Sequence, residues 1–198
     1  MTRLLQQLLA ARHQPRWSGW FVLVALLLLA QPTSGQNKQP SEYDVKAAML
    51  VNFAKFVDWP ANVFNSTDAP VIIGIYGSDP FGAVLDELVK NQEVSGRRLE
   101  IRRFTSGETA TNCHLVYCSV SSTDTDKLLA GARLAPVVFV SDTETFTRQG
   151  GHIGFYIQES KVRFEVNLAA FERSGLKMHS QVLKLAPRVT RDGKDVKK

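Results

Sequence analysis

Two short, almost wholly apolar runs, Val71-Ile72-Ile73-Gly74-Ile75-Tyr76 and Val137 to Val140, set the narrowest limits on what this chain can become. A strand with one face in water alternates apolar and polar residues. A run without alternation belongs to a strand covered on both faces, as in a parallel sheet with helices above and below it. The surrounding sequence fits that picture. A helix is predicted from about Pro80 to Lys90, with proline near its start and Phe81, Val84, Leu85, Leu88 and Val89 along one stripe. A strand near Arg98 to Phe104, another at 114–119, and a helix from about Thr123 to Arg133 opened by Ser, Thr and Asp come next. Strands in alternation with helices predict an α/β fold with a mostly parallel sheet and right-handed crossovers.

The two ends of this region read differently. Ser41 with Asp44 three residues on forms a capping box, and Val45, Met49, Asn52, Phe53 and Phe56 then recur at helical spacing up to Trp59-Pro60, where proline stops the run. Near the other end, segments 152–158 and 161–168 alternate in period two around Glu159-Ser160, which predicts an antiparallel hairpin added to the sheet. In its second arm Val162, Phe164, Val166 and Leu168 face the core, and Arg163, Glu165 and Asn167 face away. Met178, Val182, Leu185, Ala186 and Val189 then fall on one face of a terminal helix, with Lys177, Gln181, Lys184 and Arg188 opposite and Pro187 interrupting it. The expected organisation is one domain over 42–190, preceded by a flexible lead-in at 36–41 and followed by a disordered basic tail at 191–198.

Residues 1–35 form a separate object. Arg3, Arg12 and Arg16 precede 11 uninterrupted apolar residues, Trp20 to Ala30, and then a small polar segment from Gln31 to Gly35. This is the layout of a secretory signal, with Ala30 and Gly35 as alternative ends. The run is shorter than the roughly 20 residues needed to span a bilayer, so cleavage and export are expected rather than anchoring. No cysteine follows it to carry a lipid. Without this segment 21 basic residues stand against 19 acidic ones. With the tail from Arg188 also set aside the remainder is 16 against 17. A near-neutral body lacks the basic field that phosphate backbones require, so nucleic acid is excluded as the expected partner.

Positive evidence for catalysis is missing. Gly77-Ser78-Asp79-Pro80-Phe81-Gly82 sits between strand and helix, where α/β folds bind anions, but it lacks the Gly-x-Gly-x-x-Gly spacing and the lysine of a phosphate loop. It reads as a plain turn with Asp79 capping the helix. His13 lies in the leader, and His114, His152 and His179 have no ligand spacing, so neither a metal nor a cofactor is expected. Cys113 and Cys118 lie on one strand with Cα atoms roughly 16 Å apart if it is regular. That is far beyond the reach of a disulfide, and they read as two small, partly buried thiols, with a redox switch or an intermolecular bond as the sharper alternative.

The best polar constellation is Arg163, Glu165 and Asn167, three hydrogen-bonding side chains about 7 Å apart along one strand face. Alone it is a solvated face. Combined with His179 and Ser180 at the start of the last helix it becomes a recognition patch for a protein or a small anion. Phe53, Phe56 and Trp59 make the first helix richer in large apolar groups than one buried stripe needs, which points to a dimer or partner surface.

Two blocks carry a family resemblance. One is Val162-Arg163-Phe164-Glu165-Val166-Asn167-Leu168-Ala169-Ala170 with the downstream Ser174-Gly175-Leu176-Lys177 and Ser180-Gln181-Val182-Leu183-Lys184-Leu185-Ala186. The other runs from Glu42 to Phe56-Val57-Asp58-Trp59-Pro60. Together they resemble the YfiR family of small periplasmic regulators. The resemblance implies a non-enzymatic periplasmic repressor that binds the extracytoplasmic sensor domain of an inner-membrane diguanylate cyclase or another membrane sensor, limiting cyclic di-GMP signalling and biofilm formation. The family's additional cysteines are not present here, so redox gating does not carry over. A periplasmic small-ligand-binding module acting with a sensor kinase is the alternative, with Gly77–Gly82, Asp142 and Arg163 as the cleft that would serve it.

Overall fold

The computed structural model describes residues 39–105, 110, 112–119, 122–131, 134–191 and 194–196, so the leader and most of the lead-in lie outside the described residues. Pro40–Lys198 form one compact unit. Its first element is α1 (Glu42–Lys55), opened by the expected capping box: Asp44 N donates to Ser41 Oγ at 3.2 Å, and Ser41 N donates to Asp44 Oδ2 at 2.7 Å. The helix is shorter than its spacing predicts. The chain leaves helical geometry at Phe56, and β1 (Val57–Asp58) pairs antiparallel with β9 (Lys177–Met178), a separate two-stranded ribbon. The buried face is also rotated from the predicted stripe, because it consists of Lys46, Ala47, Leu50, Val51, Phe53 and Ala54. A buried lysine is invisible to a hydrophobic count.

A nine-stranded sheet forms the centre. Its order is β11 (Lys194–Asp195), β10 (Arg188–Arg191), β8 (Lys161–Asn167), β7 (Ile153–Gln158), β6 (Val138–Ser141), β5 (Leu115–Cys118), β2 (Val71–Tyr76), β4 (Arg97–Phe104) and β3 (Glu93–Val94). From β4 through β2, β5 and β6 to β7 every pairing is parallel, and β10 is parallel to β8. The β7–β8, β3–β4 and β10–β11 pairs are antiparallel. The predicted α/β class with a mostly parallel sheet therefore holds. So does the predicted hairpin: Glu159 and Ser160 have φ of 51° and 56°, the left-handed pair that a tight two-residue connection requires.

Period two sorts the strand residues into two cores. Ile73, Ile75, Leu115, Val138, Val140 and Val166 lie in one cluster with Leu50 and Phe53 of α1 and with Leu85 and Val89 of α2 (Ala83–Val89). Tyr76, Val116, Cys118 and Phe139 lie in the other, with Leu129 of α3 (Ser122–Gly131) and Phe146. Gly74 falls on this second side, where an added Cβ would sit 2.8 Å from the Phe104 ring and 2.9 Å from Cys113 Sγ. Both cysteines are free, as expected from their spacing, and they are more deeply buried than the partly buried thiols expected.

The C-terminal third departs furthest from expectation. The second hairpin arm ends at Asn167, and Leu168, expected on the strand's core face, instead begins α4 (Leu168–Arg173). The predicted terminal helix is broken into three pieces: β9, the short α5 (Ser180–Leu185), and β10, which begins just after Pro187 and joins the sheet beside β8. Leu185 consequently points to solvent at 74% exposure, while Val189 is buried as a strand residue. Lys194–Asp195, in the tail expected to be disordered, pair with Thr190 and Arg191.

Candidate functional site

The loop from Asp142 to His152, between β6 and β7, is held from several sides. Ser141 Oγ donates to Cys118 O at 2.8 Å and accepts from Thr143 N at 3.1 Å. Phe146 is 1% exposed and lies against Gly151, where any Cβ would collide with its ring. Asn167 Nδ2 donates to Thr147 O at 2.9 Å and Gly151 O at 3.2 Å, and its Oδ1 caps α4 by accepting from Ala170 N at 3.3 Å. Asn167 is thus 5% exposed and fastens the loop from within, rather than facing solvent beside Arg163 and Glu165 as the alternation predicts. Within this loop Thr145 has φ of 69°, a left-handed conformation that a β-branched residue seldom adopts. Such outliers gather where a site fixes the backbone.

Glu165 stands at the wall of an open cavity of about 200 Å³, formed by that loop, the hairpin and β10. One carboxylate oxygen accepts from the Thr147 hydroxyl and the other from Arg188 Nη1 at 2.9 Å. The Arg188 guanidinium also lies 5.0 Å from the Tyr156 ring centre, a cation–π distance. Its hydrogen bond to Glu165 pushes its pKa further up. Gly154, the register partner of Glu165, leaves room for the carboxylate; a Cβ there would sit 3.4 Å from Glu165 Oε1 and 3.2 Å from Thr147 Cγ2. Arg148 and Glu144 also line the cavity. The result is a polar recess with a fixed carboxylate and two arginines, able to read the charge and shape of a partner's surface.

The remaining predicted residues are not brought to this recess. Arg163 is half-buried opposite Tyr156 and has no ion pair among the described residues. His179 caps α5, accepting from Gln181 N at 3.4 Å through Nδ1, and its ring lies 6.0 Å from Phe56. Neither His179 nor Ser180 contacts Glu165 by hydrogen bond, ion pair or ring among the described residues, so the five-residue patch is two separate places. Phe53 is 2% exposed, wedged between Phe155 at 5.8 Å and Phe164 at 5.1 Å, and leaves the predicted docking surface. Phe56 and Trp59 stay half-buried, with Trp59 Nε1 donating to Ala54 O at 2.9 Å.

The alternative cleft is filled by the protein itself. Asp79 accepts from Phe81 N at 2.8 Å and Gly82 N at 3.2 Å and receives Arg103 Nε at 2.7 Å, while Arg103 also grips Asp86 at 3.0 Å. Asp142 accepts from Lys46 Nζ at 2.6 Å, and Lys46 pairs with Glu42 at 2.5 Å. Burial opposes ionisation of Asp142, yet the Lys46 and Tyr117 hydrogen bonds hold its carboxyl below the ordinary value. Arg163 takes no part in either cluster. Lys46, Thr147 and Arg188 are the residues the sequence reading missed. Lys46 interrupts a helical stripe and Arg188 follows a proline, and neither signal identifies a partner.

The buried histidines are structural. His152 Nδ1 accepts from Phe139 N at 3.2 Å, so the proton sits on Nε2 and is donated to Ser174 Oγ at 3.1 Å. His114 Nδ1 accepts from Ile72 N at 3.0 Å, and its ring stacks on Phe64 with 4.8 Å between centres. Burial first, and then the charges of Arg173 and Arg97, push the two down to about 3 and about 4. No group of three or more metal-binding side chains gathers among the described residues.

A family model described as YfiR/HmsC-like matches residues 43–187. The chain belongs to the YfiR/HmsC-like family. Both blocks of sequence resemblance fall almost wholly inside this YfiR/HmsC-like span, as do the Glu165 recess apart from Arg188 and the Lys46–Asp142 cluster. This is a family of regulators and not a known class of enzyme. Among solved structures, the chain is similar to an ABC domain in complex with L-Trp from Streptococcus pneumonia, at 12% identity and a TM-score of 0.52. The match covers 73% of the YfiR/HmsC-like chain and only 60% of the other, and it shows a shared α/β fold. No helix among the described residues is long and apolar enough to cross a membrane.

Proposed function

We propose that this YfiR/HmsC-like protein is an exported periplasmic repressor, released from its leader, that binds the extracytoplasmic sensor domain of an inner-membrane diguanylate cyclase and lowers cyclic di-GMP output. The observation that supports this reading is the Glu165 recess. Its carboxylate lies in the stretch that carries the family resemblance and is fixed through both oxygens, by Thr147 and by Arg188. A side chain so oriented serves recognition. Repression works through occupancy: bound repressor favours the inactive arrangement of the sensor, and its release allows turnover.

Glu165→Lys tests the reading. It sets a cation against Arg188 at the wall of the recess while leaving the core side of β8 unchanged. Periplasmic crosslinking to the membrane cyclase and the cell's cyclic di-GMP level are measured beside wild type. Lost crosslinking and raised cyclic di-GMP with normal protein abundance support the reading. Wild-type repression by a folded Glu165→Lys protein removes this recess from the mechanism. Absence of any membrane sensor among the crosslinked species sinks the proposal as a whole.

The small-ligand reading is supported by the cavity itself and by the fold shared with a domain whose structure holds L-Trp, a property of that domain. A sensor kinase or another receptor then replaces the cyclase as partner.

A further inference from the structure

A second cavity, of about 250 Å³, lies between α3, the end of the β6–β7 loop and α4, and the repressor reading makes no use of it. Among the described residues that line it, the one cation is Arg173, at the end of α4. Arg173 Nε is buried without a hydrogen-bond partner, and the guanidinium has no ion pair among the described residues. A buried charged donor left without an acceptor is costly, and native structures rarely tolerate one except where something else completes it. Gly150, with φ of 110°, lies beside the group: the guanidinium is 3.9 Å from the position a Cβ would take, an ordinary contact distance. This is the same guanidinium fork that binds carboxylates through two parallel hydrogen bonds.

The rest of the lining narrows the ligand. His152 offers no charge and no free donor, because its two nitrogens are committed to Phe139 N and Ser174 Oγ. Leu129, Phe139 and Ala170 supply apolar wall. Asp126 is exposed and adds negative charge to the lining, which disfavours a second anionic group on the ligand. The volume lies just below the roughly 300–1,000 Å³ of pockets for drug-sized molecules, which favours a small occupant. We propose that this cavity binds a short aliphatic monocarboxylate, its carboxylate on Arg173 and its chain against Leu129, Phe139 and Ala170.

Titration of the full chain with butyrate, followed by the imidazole signals in proton NMR at constant ionic strength, tests this. Butyrate is expected to shift His152 saturably with a dissociation constant on the order of 1 mM, with His179 unmoved. Butylamine should leave both signals in place, and succinate should bind at least about tenfold more weakly. Arg173→Gln should weaken butyrate by about tenfold or more, as expected for losing a charge-assisted hydrogen bond. Asp126→Asn, an exposed change that leaves the fold intact, should narrow the gap between succinate and butyrate. The proposal is overturned if His152 does not move at roughly 100 mM butyrate. Equal binding by folded Arg173→Gln, equal affinity for succinate in wild type, or an unchanged gap in Asp126→Asn also overturns it.

Discussion

Glu165 and Arg188 are register partners on neighbouring parallel strands and also an ion pair, with 2.9 Å between Oε2 and Nη1. The second strand of that pair follows Pro187, where the apolar spacing predicts the last turn of a helix. Ending the chain at residue 187 should therefore do more than shorten a tail. It removes β10 from beside β8, uncovers Val166, and leaves the Glu165 carboxylate with Thr147 alone. Circular dichroism melts should show a clear loss of stability in the truncated chain, and a melt unchanged from wild type would show that β10 contributes nothing to the sheet.

The pair itself should be weak as a source of stability. The Arg188 side chain is 48% exposed, so a double-mutant cycle between Glu165→Gln and Arg188→Gln should give a coupling of about 0.2–1 kcal/mol in denaturant titrations. A coupling several times larger would mean that the recess is more shielded from water than its openness implies.

Val166→Asp should prevent folding. Val166 is fully buried between β7 and β10, and an unpaired carboxylate there costs several kcal/mol against a total stability of roughly 5–15 kcal/mol for a typical domain. Soluble, protease-resistant Val166→Asp protein would show that the core side of β8 has been assigned to the wrong face.

Gly74→Ala should destabilise by about 1–3 kcal/mol, because the added methyl lands within 3.2 Å of Phe104, Cys113 and Val116 on the α3 side of the sheet. Adding Cys113→Ala should restore part of the loss. The effect of Gly74→Ala alone, measured by urea denaturation, would be near zero if that core can relax around a methyl group.

Stability should fall as the solution is acidified through the histidine range. His152 and His114 are held neutral in the fold, at about 3 and about 4, whereas both titrate near 6.5 when unfolded. Below pH 6.5 the unfolded chain takes up protons that the native state refuses, so unfolding becomes easier as pH drops, until the folded values are reached. At pH 5 each contributes about 2 kcal/mol of destabilisation relative to neutral pH. His152→Gln should start lower but show a flatter pH dependence between 6.5 and 5. An identical slope in the variant would mean that His152 is protonated in the native state.

How much of this was legible depended on whether a signal was local. Ser41 with Asp44, the apolar run at Val71, and the Glu159-Ser160 turn all act over a few residues and gave the start of α1, the central strand and the hairpin. Asn167 shows the limit: alternation put it outside, but a helix starts one residue later and its amide was needed as a cap and as a clamp on Thr147 and Gly151. The spacing of Met178, Val182, Ala186 and Val189 satisfies a helix as well as it satisfies strand, short helix and strand in succession. Pro187 was the one local mark of the break. Lys46 could not have been placed inside, since its partner Asp142 is 96 residues away. The two-residue strands β1, β3, β9 and β11 are too short to leave a periodic trace.

The turn after β2 bears on what this scaffold can be made to carry. Asp79 already holds two backbone amides there and is itself pinned by Arg103. A nucleotide arriving from solution would compete with a tethered rival, whose effective concentration no dilute metabolite matches. Grafting phosphate recognition onto this turn would begin with evicting that aspartate.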